Sequence, residues 1–118
     1  MSRLRILFVC GRNQWRSPTA EKVYRDDPRV QVRSAGLSPQ SSHRISAEDL
    51  SWADLVFVME RRHKSRIRNA FPDLPHQPRI VSLDIPDNYK FMDEELVQLI
   101  HDGVEFYLGG DLSNGDAV

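Results

Sequence analysis

Apolar residues gather in short runs separated by polar stretches of helical length. Leu4 to Val9 is an almost unbroken apolar run, the pattern of a parallel strand covered on both faces. Val30-Gln31-Val32-Arg33 alternates and predicts a second, shorter strand. Leu55-Val56-Phe57-Val58-Met59 predicts a third buried strand, and Arg79-Ile80-Val81-Ser82-Leu83 a fourth. Ser17-Pro18 predicts a helix start, with Ser17 as N-cap and Pro18 at the first helical position, running to about Arg25 and ending before Pro28. Ser46-Ala47-Glu48-Asp49 has the form of a capping box and opens a short helix. Glu60 to Ala70 reads as a basic helix ended by Pro72, with prolines at 72, 75 and 78 stiffening the connector that follows. After a loop from Asp84 to Phe91, a last helix spans about Met92 to Leu108 and sets Leu96, Leu99, Ile100, Val104 and Leu108 on one stripe. Gly109-Gly110 ends it, and residues 110–118 read as a flexible tail. Strands alternating with helices predict an α/β fold, one domain over residues 1–118 with a four-stranded parallel sheet flanked by helices.

Composition agrees with a folded domain: 118 residues, 40% of them hydrophobic, with six glycines and seven prolines. No apolar run approaches the ~20 residues needed to span a bilayer, so no membrane partner is expected. Basic residues precede the first apolar stretch as in a signal peptide, but that stretch is only about six residues long before Cys10-Gly11-Arg12. The expected location is therefore cytoplasmic. Cys10 is the single cysteine, which excludes an internal disulfide, a four-cysteine zinc site and a dithiol relay. His43, His63, His76 and His101 show no metal-ligand spacing and are expected at the surface. No metal or organic cofactor is implied.

The net charge of −1 hides an asymmetry: residues 1–83 carry a balance of +7, residues 84–118 one of −8. A basic first part suits an anionic ligand, or else two oppositely charged surfaces that neutralise each other. The acidic last third argues against a nucleic-acid function. Arg61-Arg62-His63-Lys64-Ser65-Arg66-Ile67-Arg68 is either a solvated helix face or a docking surface for acidic or nucleic-acid partners. Trp52 and Phe57 are expected in the core.

In parallel α/β folds ligands sit beyond the carboxyl ends of the strands. The first strand-to-helix loop here is Cys10-Gly11-Arg12-Asn13-Gln14-Trp15-Arg16-Ser17. A loop of this length curls into a nest of N–H groups, and the helix start adds its positive end. Arg16 offers a planar, two-pronged donor to phosphate oxygens. The same positive field stabilises a thiolate, so a nucleophilic Cys10 and an anionic substrate suit one site, with Ser17 placed to donate to the sulfur. The alternative, Cys10 as an inert strand-end residue with Arg16 as a surface charge, does not account for the Cys-x5-Arg-Ser-Pro spacing.

Cys10-Gly11-Arg12-Asn13-Gln14-Trp15-Arg16-Ser17-Pro18-Thr19-Ala20-Glu21 resembles the phosphate loop of the low-molecular-weight protein tyrosine phosphatases. Ser34-Ala35-Gly36 resembles that family's Ser-Ala-Gly after its second strand, and Ala53 to Met59 its third strand, so the resemblance covers roughly residues 4–100. It implies a cysteine-dependent phosphomonoester hydrolase that forms a cysteinyl-phosphate intermediate, acting on a phosphorylated protein or a small phosphomonoester. Cys10 would attack phosphorus, Arg16 would bind its oxygens, and Gly11, Arg12, Asn13, Gln14, Trp15 and Ser17 would surround the phosphate. Asn13 would prop the loop in a strained conformation, as the family's asparagine does. Two departures stand out. Trp15 occupies the place of a second cysteine that often protects the first by disulfide formation, and Arg12 occupies a usually small position. The chain is also shorter than the family before the fourth strand and in the acid loop.

The family's general acid lies in an Asp-Pro-Tyr sequence after strand four, where this chain has Asp84-Ile85-Pro86-Asp87-Asn88-Tyr89. Asp87 matches if Asn88 replaces proline, with Tyr89 as a pocket wall; Asp84, at the strand end, would serve with a shifted loop. Asp93, before Glu94-Glu95, reads as favouring the positive end of its helix. The Trp15 ring either lines the pocket and stacks on an aromatic leaving group or packs helix against sheet. Two other readings stay open: a non-catalytic phosphate- or phosphoprotein-binding module, and an arsenate reductase served by an external thiol. The oligomeric state is left open.

Overall fold

The computed structural model describes residues 3–109, and within them the four apolar runs form one parallel sheet. In chain order the elements are β1 (Leu4–Cys10), α1 (Arg16–Tyr24), β2 (Val30–Gly36), α2 (Ala47–Trp52), β3 (Leu55–Val58), α3 (Arg61–Ala70), β4 (Arg79–Ser82) and α4 (Glu94–Leu108). The strand order is β2-β1-β3-β4, every neighbouring pair parallel. The tail expected over 110–118 lies outside the described residues. Among those residues no helix is long and apolar enough to cross a membrane.

The continuous apolar runs explain why β1 and β3 take the middle of the sheet. Successive side chains point to opposite faces, and a strand helix-covered on both must be apolar at every position. Ile6, Phe8 and Cys10 of β1 join Leu55 and Phe57 of β3 in a first core, closed by Ala20 and Tyr24 of α1 and by Leu96, Ile100 and Val104 of α4. Leu7, Val9, Val56 and Val58 point the other way, into a second core with Leu50 of α2 and Ile67 of α3. Phe57 is fully buried, 5.8 Å from the Phe8 ring and 5.6 Å from that of Tyr107. Trp52, by contrast, lies at the edge of the second core, with the Arg33 guanidinium 4.2 Å over its ring.

Several boundaries move from their expected places for local reasons. β2 continues through Ser34-Ala35-Gly36 because β1 offers a ladder along its whole length, as far as Cys10 opposite Gly36. α4 starts at Glu94 because Asp93 is its N-cap, its Oδ1 accepting from the amides of Glu95 at 2.9 Å and Leu96 at 3.4 Å. The Ser46–Asp49 capping box forms as expected. Ser17 is not a cap: α1 begins at Arg16 behind Trp15, whose side chain makes no capping bond. Pro18 still falls within the first turn, where its missing N–H has no helical partner to lose.

Truncation of Phe57 to alanine is expected to cost about 3–5 kcal/mol, since it leaves a cavity between Phe8, stacked on it, and Tyr107, edge-on to it. Urea unfolding would show this as a lower midpoint at unchanged slope.

Candidate active site

Strand order reverses direction at β1, whose chain neighbour β2 lies on one side and β3 on the other, and this is where such sheets open a crevice. Cys10 ends β1 there, 3% exposed. Residues 11–15 then arch over the sheet end before α1 begins. The segment after β2 holds this arch: the Leu37 amide donates to the Cys10 carbonyl at 3.1 Å, Ser38 N to Gly11 O at 2.7 Å, and Ser42 Oγ to Asn13 O at 3.2 Å. Asn13 adopts φ 52°, a left-handed conformation that asparagine tolerates better than most residues. Its side chain fixes the turn, Nδ2 donating to Ser42 Oγ at 3.3 Å and Oδ1 accepting from Ser17 Oγ at 2.9 Å. Gly36 lies directly beneath the arch. A Cβ there would stand 2.6 Å from Asn13 N and 2.7 Å from Arg12 C, and would also meet Ser41 Oγ.

A cleft of about 490 Å³ opens over Cys10. Gly11, Arg12, Gln14, Trp15 and Arg16 line one part of it. Ser38, Arg62, Arg66 and Asp87 complete the wall. Asn13 and Ser17 lie behind the loop and support it. Ser17 Oγ is 3.0 Å from Cys10 Sγ, and its single proton also has Asn13 Oδ1 and, at 3.4 Å, the Ala35 carbonyl within reach. Trp15 faces the cleft with 39% of its surface exposed, so helix–sheet packing is not its role.

Arg16 is 3% exposed. Its Nη1 donates to Glu60 Oε2 at 2.6 Å and to the Ile85 carbonyl at 2.7 Å, while Nε lies 3.6 Å from Asp87 Oδ1. Ile85 is itself buried and anchored, its amide donating to the Met59 carbonyl at 2.8 Å, and this anchor brings Asp87 over the cleft.

Two expected residues lie elsewhere. Asp84 does not reach the cleft: at φ 55° it accepts from Ser82 Oγ at 2.7 Å and pairs with Arg61 at 3.5 Å, on a separate depression beside β4. The reason is the anchor of the Ile85 amide on the Met59 carbonyl, which leaves Asp84 beside β4 and carries Asp87 on toward the cleft. Tyr89 is not a wall of the cleft either; it packs against the first core, and its hydroxyl donates to Glu95 at 2.9 Å.

Glu60 was not singled out by sequence, although an acid directly after the third apolar run stands beside the end of β1. It caps α3 and also receives Arg62 Nε at 2.8 Å. Arg62, and then Arg16, hold its carboxyl down to about 2 against the opposing effect of burial. His63 corrects a surface expectation: it is fully buried, its Nδ1 accepting from the Glu60 amide at 3.2 Å. That bond places the proton of the neutral ring on Nε2, which has no hydrogen-bond partner among the described residues and lies 3.9 Å from Glu60 Oε2. Burial pushes the His63 pKa from 6.5 down to about 4, with Glu60 opposing and the positive charges of Arg16, Arg62 and Arg66 adding to the effect.

The chain is 30% identical to the low molecular weight protein-tyrosine-phosphatase Wzb of Salmonella typhi, over 73% of this chain and 77% of that protein. It belongs to the low molecular weight protein-tyrosine-phosphatase family. No family model matches it, in keeping with a short, divergent member. Among solved structures, the YwlE arginine phosphatase from Geobacillus stearothermophilus is 26% identical with a TM-score of 0.70, covering 94% of this chain and 96% of that one. Vibrio vulnificus Wzb in complex with benzylphosphonate shares the fold at a TM-score of 0.71 and 24% identity, covering 91% and 98%. As a phosphatase of this family the chain is a hydrolase with a phosphorylated substrate.

Two consequences are measurable. The unfolded chain binds the His63 proton near pH 6.5, and the folded chain only near 4. The stability this group contributes is therefore full above pH 6.5 and is lost as pH falls toward 4. Between pH 7 and pH 4, urea unfolding of the wild type should lose about 2–3 kcal/mol more than that of His63→Asn. In Gly36→Ala the added methyl pushes on Arg12 and Asn13, so phosphate affinity measured by calorimetry should fall about tenfold or more, a loss beyond what an ordinary surface change produces.

Proposed function

We propose that this phosphatase hydrolyses phosphotyrosine in proteins through a cysteinyl-phosphate intermediate, with Cys10 as nucleophile and Asp87 as general acid. The observation that carries this reading is the meeting of three groups in one cleft: the Cys10 sulfur at its floor, the buried Arg16 beside it, and Asp87 on the open side, 63% exposed. Asp84, on another depression, is not the acid in this reading.

In the first step Cys10 Sγ attacks phosphorus while the bond to the leaving oxygen breaks, and Asp87 gives that oxygen its proton. Arg16 and the amides of the loop bind the other phosphoryl oxygens, where charge is held through the transfer. In the second step Asp87 takes a proton from water as that water attacks phosphorus. The S–P bond breaks, phosphate leaves, and the thiolate returns. Ser17 serves the sulfur in both steps, since a thiolate only accepts and the hydroxyl proton then turns from Asn13 to Sγ. Trp15 offers a ring face to a phenol. An arginine side chain, the substrate type in YwlE's name, is opposed by Arg12, Arg62 and Arg66, which repel a cation at the mouth of the cleft. The site works as a single domain without metal or organic cofactor.

Turnover of p-nitrophenyl phosphate and of phosphotyrosine near pH 6 tests the assignment. Cys10→Ser should abolish both reactions. Asp87→Ala should lower kcat on phosphotyrosine by about 100-fold or more, and less on p-nitrophenyl phosphate, whose leaving group needs less protonation. A comparable loss in Asp84→Ala, with Asp87→Ala active, would transfer the role of acid. Wild type that binds vanadate without turning over either ester would favour a binding module.

A further inference from the structure

The charge on the cleft exceeds what a phosphoryl group needs. Four arginines line it, Arg12, Arg16, Arg62 and Arg66, against the one carboxylate of Asp87. Arg16 is committed to the floor, and Arg62 is tied to Glu60 at 2.8 Å. Arg12 and Arg66 differ: both are exposed, and neither guanidinium makes a hydrogen bond or ion pair among the described residues. They come from separate elements, the loop and α3, yet they border the same opening. On α3, Arg66 sits one turn beyond Arg62, on the face toward the cleft, whereas Arg61, Lys64 and Arg68 border the separate depression beside β4.

A solvated arginine by itself carries no message, but two unpaired ones flanking a phosphate cleft do. Once phosphate is bound by Arg16 and the loop, these two charges are left for whatever arrives beside it. A phosphotyrosine ring spans the depth of such a cleft, so the residues next to it in the substrate chain reach the rim.

We infer that Arg12 and Arg66 select phosphotyrosine with an anionic group on the adjacent residues, an Asp or Glu carboxylate or a second phosphoryl group. This rests on the hydrolase reading above and adds the class of substrate to it. Selection at the rim acts on kcat/KM for peptides and is felt little by a small aryl phosphate, which ends before the rim. It also weakens with salt, because the pairs formed are exposed and dissolved ions screen them increasingly as ionic strength rises.

The experiment compares phosphotyrosine peptides flanked by Glu, by Gln or by phosphoserine, at low and high salt, with p-nitrophenyl phosphate as the reference substrate. Wild type should favour the Glu- or phosphoserine-flanked peptides over the Gln-flanked one by about three- to tenfold at low salt, and by less at high salt. The two anionic peptides, compared with each other, distinguish carboxylate from phosphoryl selection. Arg66→Glu should bring the preference to parity or reverse it, each peptide's kcat/KM being scored relative to that of p-nitrophenyl phosphate on the same variant. Arg68→Ala, on the far side of the same helix, should keep the preference. Equal kcat/KM for all three peptides in wild type at low salt overturns the inference, as does a preference that survives in Arg66→Glu combined with Arg12→Ala. Failure to hydrolyse p-nitrophenyl phosphate would instead overturn the hydrolase reading. The peptide series is then scored by Kd on Cys10→Ser, where the same ordering supports rim selection and equal Kd values reject it.

Discussion

A guanidinium that is 3% exposed must have its charge answered inside the protein, because an unpaired buried ion costs several kcal/mol. For Arg16 the answer comes from three places in the chain: the carboxylate of Glu60 after β3, the carbonyl of Ile85 after β4, and the nearby carboxylate of Asp87. Each of these sits at or beyond the carboxyl end of a strand. Satisfying one cation therefore ties the start of α1 to the start of α3 and to the loop that carries the proposed acid. The pairing is also unfinished by design of its geometry. The loop is anchored through Ile85, while Asp87, though 3.6 Å from Arg16, stays 63% exposed on the open side of the cleft.

A second constraint works from below. The loop over Cys10 makes few contacts with itself; it is held by the segment 36–42, through carbonyls that accept from Leu37, Ser38 and Ser42 and through the Asn13 side chain. Gly36 is what allows this. Its missing side chain lets the arch rest on the end of β2, and the left-handed Asn13 follows from the same close approach. The loop is thus held by the β2 connection, and Cys10 at its start is held with it.

Much of this was legible in the residues. The apolar runs announced four parallel strands, and the Cys-x5-Arg-Ser-Pro spacing marked the loop, since both depend on neighbours in the chain. The errors share a cause. Ser17 reads as an N-cap because Ser-Pro favours one locally, yet its hydroxyl is engaged by Cys10 and Asn13. Tyr89 reads as a wall by its place after Asp87, yet α4 draws its hydroxyl to Glu95. His63 reads as one more polar residue of a basic helix, yet its position on the inner face of α3 buries it under Glu60.

What the sequence determined alone was whatever short-range periodicity and spacing can encode: the strand and helix pattern, the Cys-x5-Arg-Ser-Pro spacing after β1, and the family resemblance that the 30% identical relative bears out. Where Asp84 and Asp87 lie relative to Cys10 was beyond it. Three residues apart in the chain, they are separated in space by the anchoring of Ile85 on Met59, which turns one toward β4 and the other over Cys10. Glu60 and the rim arginines of α3 entered the site the same way, because β3 pairs with β1 and carries the start of its helix to the cleft. Long-range strand pairing decides which distant residues share a cleft, and no local pattern records it.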